Sequence, residues 1–324
     1  MGLDFLNLTA TTLKNYLPTL VNNIMDSNAA IARMRERGNI ILDGGSTIVC
    51  PIKYAKNGTI ASFMGHDTLT ITPQEQFTAA QYDWAAYNGA VVYSDEEIAK
   101  NSGKSRAINL IDAKIMAVEE DLMSKLNTDF FADGTGNGGK DMHGLKLLVA
   151  DAPATGTVGG IDRATYTWWK NAQTATLGVW GSPTNQSGRA DLDAMHLTTR
   201  RGKDMADMVV LGKHAFAGLK KEFQASELVN AEFKQIKGYG NIDMKYNNMD
   251  IIYDEMCDSG LTSACHAYVL NTKYLKLVIN KNYNFKIIQA IRPTNQAAFV
   301  QHIRVFLQLI TNNASKLGVV TGIA

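Results

Sequence analysis

KSRAINLIDAKIMAVEEDLMSKLNTDFFAD, residues 104–133, carries the long, unbroken helical signal of this chain. Ile108, Ile111, Ile115, Leu122, Leu126 and Phe130 recur at the three- and four-residue spacings that line one face of an α-helix, while Asn109, Glu120, Ser124 and Asn127 fall away from it. Asp112 and Glu119 border the stripe and weaken it. No Gly or Pro interrupts the run. A helix of this length spans roughly 45 Å, longer than a globular protein of this size needs in one piece. The spacing therefore predicts a spine over 104–133. Asn101-Ser102-Gly103 breaks the chain upstream, and Gly134-Thr135-Gly136-Asn137-Gly138-Gly139 forces a turn downstream.

Immediately before the spine, Ser94-Asp95-Glu96-Glu97 fits a capping box, so a short helix is expected to about Lys100. From Ser46 to Tyr93 the period is two. Ile48, Cys50, Ile52 and Tyr54 alternate with polar or small residues, as do Leu69 and Ile71 among threonines, and Ala80, Tyr82 and Trp84. Asn57-Gly58 and Gly65-His66-Asp67 mark reversals. The middle of this region holds few large apolar residues, so it reads as an extended hairpin without a core of its own, needing a surface to lie on. A neighbouring subunit is the natural candidate. Residues 11–36 read as helical pieces, with Leu13, Leu17, Leu20 and Ile24 on one side, a kink or restart at Pro18, and a break at Asp26-Ser27-Asn28. This amphipathic arm packs on a distant part of the chain or on another subunit; an ordinary first helix of the core is the competing reading.

Downstream of the glycine turn, His143–Val149 reads as a strand. Asp191–Arg201 and Lys213–Leu228 read as helices, and Met208–Leu211, Met249–Tyr253 and Ala267–Leu270 as buried strands of an α/β or α+β domain. The tail is β-rich, over Phe285–Ile291, Ala298–Ile310 and Leu317–Thr321.

The 324 residues are 45% hydrophobic and 19% charged, with a formal net charge of +1. That is enough apolar material for one large or two moderate domains, and it offers no basic surface overall for nucleic acid. Cys50, Cys257 and Cys265 are odd in number in a chain too large to need stapling, so free thiols in a reducing compartment are expected. Asp4 sits where a signal peptide would be basic, and no run approaches the roughly 20 apolar residues that span a bilayer. Neither export nor membrane insertion is expected. Leu6 stands where a myristoylation motif needs Ser or Thr.

The glycine turn matches G-x-G-x-x-G at Gly134, Gly136 and Gly139, and with Lys140 most of a P-loop. A phosphate cradle needs a strand before it and a helix after it, whereas a helix precedes this one and a strand is predicted to follow. Asp141 also places a carboxylate where a P-loop hydroxyl would hold magnesium. His66, His143, His196, His214, His266 and His302 are dispersed, and the Cys257 to Cys265-His266 spacing matches no zinc pattern. Trp168-Trp169 with Tyr166 could stack on bases, but without a basic stripe they read as a packing anchor. No catalytic, cofactor-binding or metal-ligating residue is marked.

Six stretches, in this order, resemble the major capsid proteins of tailed bacteriophages, the Hong Kong 97-type fold. They are FTAAQYDWAAYNGAVVYSDEEIAKNSGKSR (77–106), FADGTGNGGKDMHGLKLL (131–148), GGIDRATYTWWKN (159–171), MADMVVLGKHAFAGLKK (205–221), YNNMDIIYDE (246–255) and AYVLNTKYLKLVI (267–279). The resemblance implies an α+β fold. Its parts are an N-terminal arm over 1–45, an E-loop hairpin with flanking strands over 46–84, a peripheral domain with its spine over 85–149, an axial domain over 150–284 and a β-rich return to the peripheral domain over 285–324. It further implies a non-enzymatic subunit that self-assembles into pentamers and hexamers of an icosahedral head. That head would enclose double-stranded DNA without sequence-specific binding, with scaffold, portal and decoration proteins as partners. The implied location is the virion, after assembly in the host bacterial cytoplasm. Some family members crosslink an E-loop lysine to a neighbour's asparagine; Lys53 and Lys56 lie in or near the hairpin, but no acceptor is matched. Near-neutral charge agrees with a genome driven in by a motor. An encapsulin-like compartment shell is the alternative, and a soluble α/β enzyme the distant one.

Overall fold

In the computed structural model, residues 28–100, 104–182, 186–225, 234–236, 239–258 and 264–324 are described. The chain enters through helix α1 (Ala29–Glu36) and strands β1 (Ile40–Asp43) and β2 (Ile48–Lys53). A long loop leads to β3 (Phe77–Tyr82) and β4 (Ala85–Ser94), then to α2 (Asp95–Lys100) and the spine α3 (Lys104–Phe131). One helical turn, α4 (Leu145–Leu148), precedes the short ribbon β5 (Thr157–Val158) and β6 (Ile161–Asp162), followed by β7 (Ala172–Ala175). The middle of the chain holds α5 (Ser187–Thr199), β8 (Met208–Leu211), α6 (Lys213–Ala225), β9 (Lys234–Ile236), β10 (Tyr239–Tyr246) and β11 (Met249–Tyr253). It ends with β12 (Cys265–Leu270), β13 (Leu275–Asn280), β14 (Lys286–Ile291), β15 (Ala298–Thr311) and β16 (Gly318–Ile323).

Two sheets organise these elements. In the five-stranded sheet β13 and β14 share one edge of β15, β4 takes the other, and β1 adds in parallel to β13. The seven-stranded sheet runs β7-β16-β12-β8-β11-β10-β9. Every residue of β8 is buried, yet alternate side chains go to different cores. Val209 and Leu211 pack with Leu192 and Met195 of α5 and Leu219 of α6, whereas Met208 and Val210 face the larger core shared with the spine and the five-stranded sheet. A strand covered on both faces has no polar side, which is why it reads as a continuous apolar run.

The capping box forms as expected: Ser94 Oγ accepts from the Glu97 N–H at 3.1 Å, and the Glu97 carboxylate accepts from the Ser94 N–H at 3.0 Å. Along α3, Ile115, Leu122, Leu126 and Phe130 are buried; the side chains of Ile108 and Ile111 lie outside the described residues. Glu119, expected to border the stripe, is itself buried. The spine lies against β4 so closely that a Cβ on Gly89 would stand 2.6 Å from Val118 Cγ1 and 3.0 Å from Leu122 Cδ1. Each large aliphatic side chain buried here stabilises the fold by roughly 1.5–3 kcal/mol.

Four expectations are corrected. His143–Val149 is not a strand: Leu145, Leu148 and Val149 are buried at i, i+3 and i+4, the period of the helical turn α4, in a run too short for the sequence pattern to decide. Leu69 and Ile71 do not lie in a strand. Their alternation has no pairing partner among the described residues, since β2 and β3 pair only over 48–53 and 77–82. The hairpin is not wholly coreless either. Ile48, Ile52, Ala80 and Tyr82 at its base are buried, and Tyr82 Oη donates to the Thr311 carbonyl at 2.7 Å. Finally, 285–324 does not return as one unit: β14 and β15 join the five-stranded sheet, while β16 crosses to pair with β12 and β7.

Of the arm, residues 1–27 fall outside the described residues, and α1 packs on the chain's own body. Asn28 caps α1 by accepting from the Ile31 N–H at 2.9 Å, and Ala29, Ala30, Ile31 and Met34 are buried. Arg33 and Arg37, one helical turn apart, both bind Asp250 of β11, and Arg37 also binds Asp207. Burial would push the Asp250 carboxyl up, but the two guanidinium groups hold it below its usual range.

His266, at the start of β12, bridges Asp151 through Nε2 at 3.1 Å and Asp258 through Nδ1. Asp151 and Asp258 together push its pKa up to about 9.

Leu122→Asp puts an unpaired carboxylate into the spine interface at a cost of several kcal/mol, and is expected to give insoluble or uncooperatively melting protein. Gly89→Ala overpacks the same contact and is expected to cost about 1–3 kcal/mol, read by denaturant unfolding. For His266 the charged form is favoured in the folded state. Its stabilisation is thus complete below the unfolded value of about 6.5 and lost as pH rises through about 9. Melting temperatures across that window should show the gap between wild type and His266→Gln widest at the acid end and closing at the alkaline end.

Candidate assembly interface

The loop between β2 and β3 leaves the body at a last ladder bond, Tyr54 N–H to the Gln76 carbonyl at 3.0 Å, with Tyr54 stacked on Trp168 at 5.2 Å. Beyond this neck its shape is set locally. Asn57 Oδ1 accepts from the Thr59 N–H at 2.9 Å and Thr59 Oγ1 at 2.7 Å. At the tip the Asp67 carboxylate accepts from the Met64 N–H at 2.8 Å, and Gly65 takes a positive φ of 50°. Both reversals lie where the sequence placed them. Ile60, Phe63, Met64, Leu69 and Ile71 are each more than half exposed, Ile71 at 91%. Scattered exposed apolar residues are ordinary, but five on one projecting loop make an apolar surface that none of the described residues covers. Lys53 and Lys56 are exposed at the neck.

The glycine turn offers no phosphate cradle. Helix α3 precedes it, and the corrected element after it is α4, with no strand leading in. The Asp141 carboxylate occupies its concave side, only 2.2 Å from where a Cβ on Gly136 would lie. Lys125 Nζ binds that carboxylate at 2.7 Å and Asp129 at 2.8 Å. Tyr87 Oη donates to Asp129 at 2.7 Å and accepts from the Met142 N–H at 2.9 Å. The turn is thus tied to the spine's C-terminal end through a lysine, two carboxylates and a tyrosine. Sequence reasoning missed this lock, because Tyr87 is far away in the chain and no spacing announces it.

The other candidates fall into packing roles. Trp169 is buried and donates from Nε1 to the Val158 carbonyl at 3.0 Å, while Trp168 packs across it. None of the three cysteines forms a disulfide, and burial pushes each thiol pKa up, the reverse of what an activated nucleophile needs. Burial pushes His143 and His196 down, and His66 and His214 are exposed and far apart in the chain. Among the described residues no group of three His, Cys, Asp or Glu is arranged to hold a metal, and no helix is long and apolar enough to cross a membrane.

No protein-family model and no curated protein matches the sequence. Solved structures do. A cyanophage A-1(L) capsid subunit aligns with a TM-score of 0.63 at 14% identity, covering 88% of this chain and 90% of its own. The capsid of Myoviridae phage XM1 aligns at 0.55 and 10% identity, covering 89% and 91%. The holo-SrpI encapsulin complex of Synechococcus elongatus PCC 7942 also aligns at 0.55 and 10% identity, covering 90% and 87%. The chain has the Hong Kong 97-type capsid fold.

Proposed function

We propose that this chain is the major capsid protein of a tailed bacteriophage, a non-enzymatic subunit of pentamers and hexamers in an icosahedral head around double-stranded DNA. The observation that carries the reading is the projecting loop over 54–76, an apolar surface left uncovered by the described residues on a body that already has two filled cores. Burying such loops on neighbours, in closed symmetry, satisfies the same contact at every subunit. In this reading the spine and five-stranded sheet form the peripheral domain, and the seven-stranded sheet with α5 and α6 the axial domain. Scaffold, portal and decoration proteins are its partners, and the virion its location, after assembly in the host cytoplasm.

The encapsulin likeness supports a second reading, a compartment shell around cargo protein. Purified particles distinguish the two: packaged nucleic acid favours the phage head, and protein cargo without it favours the compartment. A soluble α/β enzyme stands as the third reading, which a monodisperse small oligomer at high concentration would favour.

Replacing Ala55–Pro73 with a Gly-Ser turn is expected to leave near-native circular dichroism and a cooperative melt while abolishing stable shells in negative-stain micrographs. Loss of the fold, or shells as stable as the parent's, would sink the assignment of this loop as an intersubunit clamp. Lys140→Ala should leave assembly intact, and calorimetry with magnesium ATP or GTP should register no binding to the parent chain. Micromolar affinity that disappears in the variant would overturn the non-nucleotide reading of the glycine turn.

A further inference from the structure

Asn-Gly occurs three times in the chain, at Asn57-Gly58, Asn88-Gly89 and Asn137-Gly138. The pair carries its own reagent, because glycine has no side chain to keep its backbone nitrogen away from the carboxamide before it. Folding puts the three copies in different surroundings. Asn88 lies inside the ladder of β4 and β15, opposite Arg304, and its Oδ1 accepts from Arg304 Nε at 3.1 Å. Asn57 is partly buried at the neck of the projecting loop, where its Oδ1 is held by the Thr59 N–H at 2.9 Å and by Thr59 Oγ1 at 2.7 Å.

Asn137 differs in each respect. It is exposed, as are Gly136, Gly138, Gly139 and Lys140 around it. Among the described residues no hydrogen bond holds its carboxamide, and nothing lies within 4 Å of where a Cβ on Gly138 would stand. The backbone is left-handed at both positions, with φ 50° and ψ 37° at Asn137 and φ 70° and ψ 34° at Gly138, a conformation unfavourable for the L residue. The bonds across the turn run from the Gly139 N–H to the Thr135 carbonyl at 3.1 Å and from the Lys140 N–H to the Gly136 carbonyl at 3.3 Å. The Gly138 N–H belongs to neither. Rotation of the backbone at Asn137 is therefore resisted by two exposed turn bonds, not by a sheet ladder.

We propose that Asn137 is a site of spontaneous covalent modification, deamidation through a cyclic imide with Gly138. The Gly138 nitrogen gives up its proton to solvent hydroxide and attacks Asn137 Cγ. The N–Cγ bond forms, the Cγ–Nδ2 bond breaks, and ammonia leaves with a proton from water. A second water then opens the imide at either carbonyl, giving aspartate or, with a methylene inserted in the main chain, isoaspartate. The sum is one water consumed and one ammonia released, with no change of oxidation state. The product is a new carboxylate in a turn whose concave side already holds Asp141. It enters a cleft of about 500 Å³ that this turn lines together with Trp84, Gly159 and Gly160. Isoaspartate also lengthens the path from Gly136 to Asp141, the residue through which Lys125 ties the turn to the spine. That tie loosens as the protein ages, whether or not the chain builds a shell.

The test incubates the full-length protein in mildly alkaline buffer and follows, by peptide mapping and mass spectrometry, the exchange of each carboxamide for a carboxylate. Conversion at Asn137 is expected to run about tenfold or more ahead of Asn57 and Asn88, since one structural hydrogen bond to be broken first slows ring closure by about that factor. The rate should rise with pH, because the attacking nitrogen must lose a proton. In guanidinium chloride, where the fold is gone, the three pairs should convert at similar rates. Fragmentation spectra should show isoaspartate beside aspartate at Asn137, the mark of the imide. Gly138→Ala should slow the conversion, and Asn137→Gly, which suits the left-handed turn, should remove it. Aged wild type should melt below fresh protein, while Asn137→Gly aged alongside should not. Equal rates at the three pairs in the folded protein, conversion led by Asn57 or Asn88, or aspartate without isoaspartate overturns the site. The same lead for Asn137 in the unfolded chain overturns the structural cause, and an aged protein that melts like fresh overturns the effect on the spine's tie.

Discussion

Strand β15 is the member on which the rest of the chain depends. Its fourteen residues are hydrogen-bonded on both edges, to β4 over 298–307 on one side and to β14 and β13 in succession on the other. Through β4 it holds the spine, because α3 packs on β4 where Gly89 lets the two approach. Through β13 it holds β1, and so the exit of the N-terminal segment. The pairing joins residues more than 200 positions apart, so its loop-closure entropy must be met before the apolar faces of α3 and the sheet can reward it.

The second tie is ionic. Arg33 and Arg37 dock α1 on Asp250, and Asp207 accepts from Arg37 while also binding the Thr272 N–H at 2.8 Å and its hydroxyl at 2.6 Å. A cluster of this kind adds little net stability over apolar packing, but removing one partner strands a buried charge at about 3–5 kcal/mol. Its effect is to fix where α1 sits: the short helix has few residues with which to specify a register by packing alone.

Against this tied body the 54–76 loop is a deliberate contrast. Asn57 and Asp67 shape it with local hydrogen bonds, and its apolar side chains face outward. A loop shaped by itself and covered by none of the described residues suits docking on a neighbour, and it is the feature that connects the fold to the proposed shell.

The spine, the capping box, the buried strand Met208–Leu211 and the two loop reversals were legible in the sequence, because each depends on a local period or on side chain to backbone bonds within three residues. Motif context likewise placed a helix, not a strand, ahead of the glycine turn. Tertiary structure decided the rest. Whether Leu69 and Ile71 form a strand depends on a partner that only three-dimensional pairing supplies, and His143–Val149 reads as a strand although packing makes Leu145–Leu148 a helical turn. The split of the tail between two sheets and the Tyr87–Asp129–Lys125–Asp141 lock both join residues distant in the chain. No spacing encodes such meetings, because they arise from the path the backbone takes between sheets and not from the residues on either side of each group.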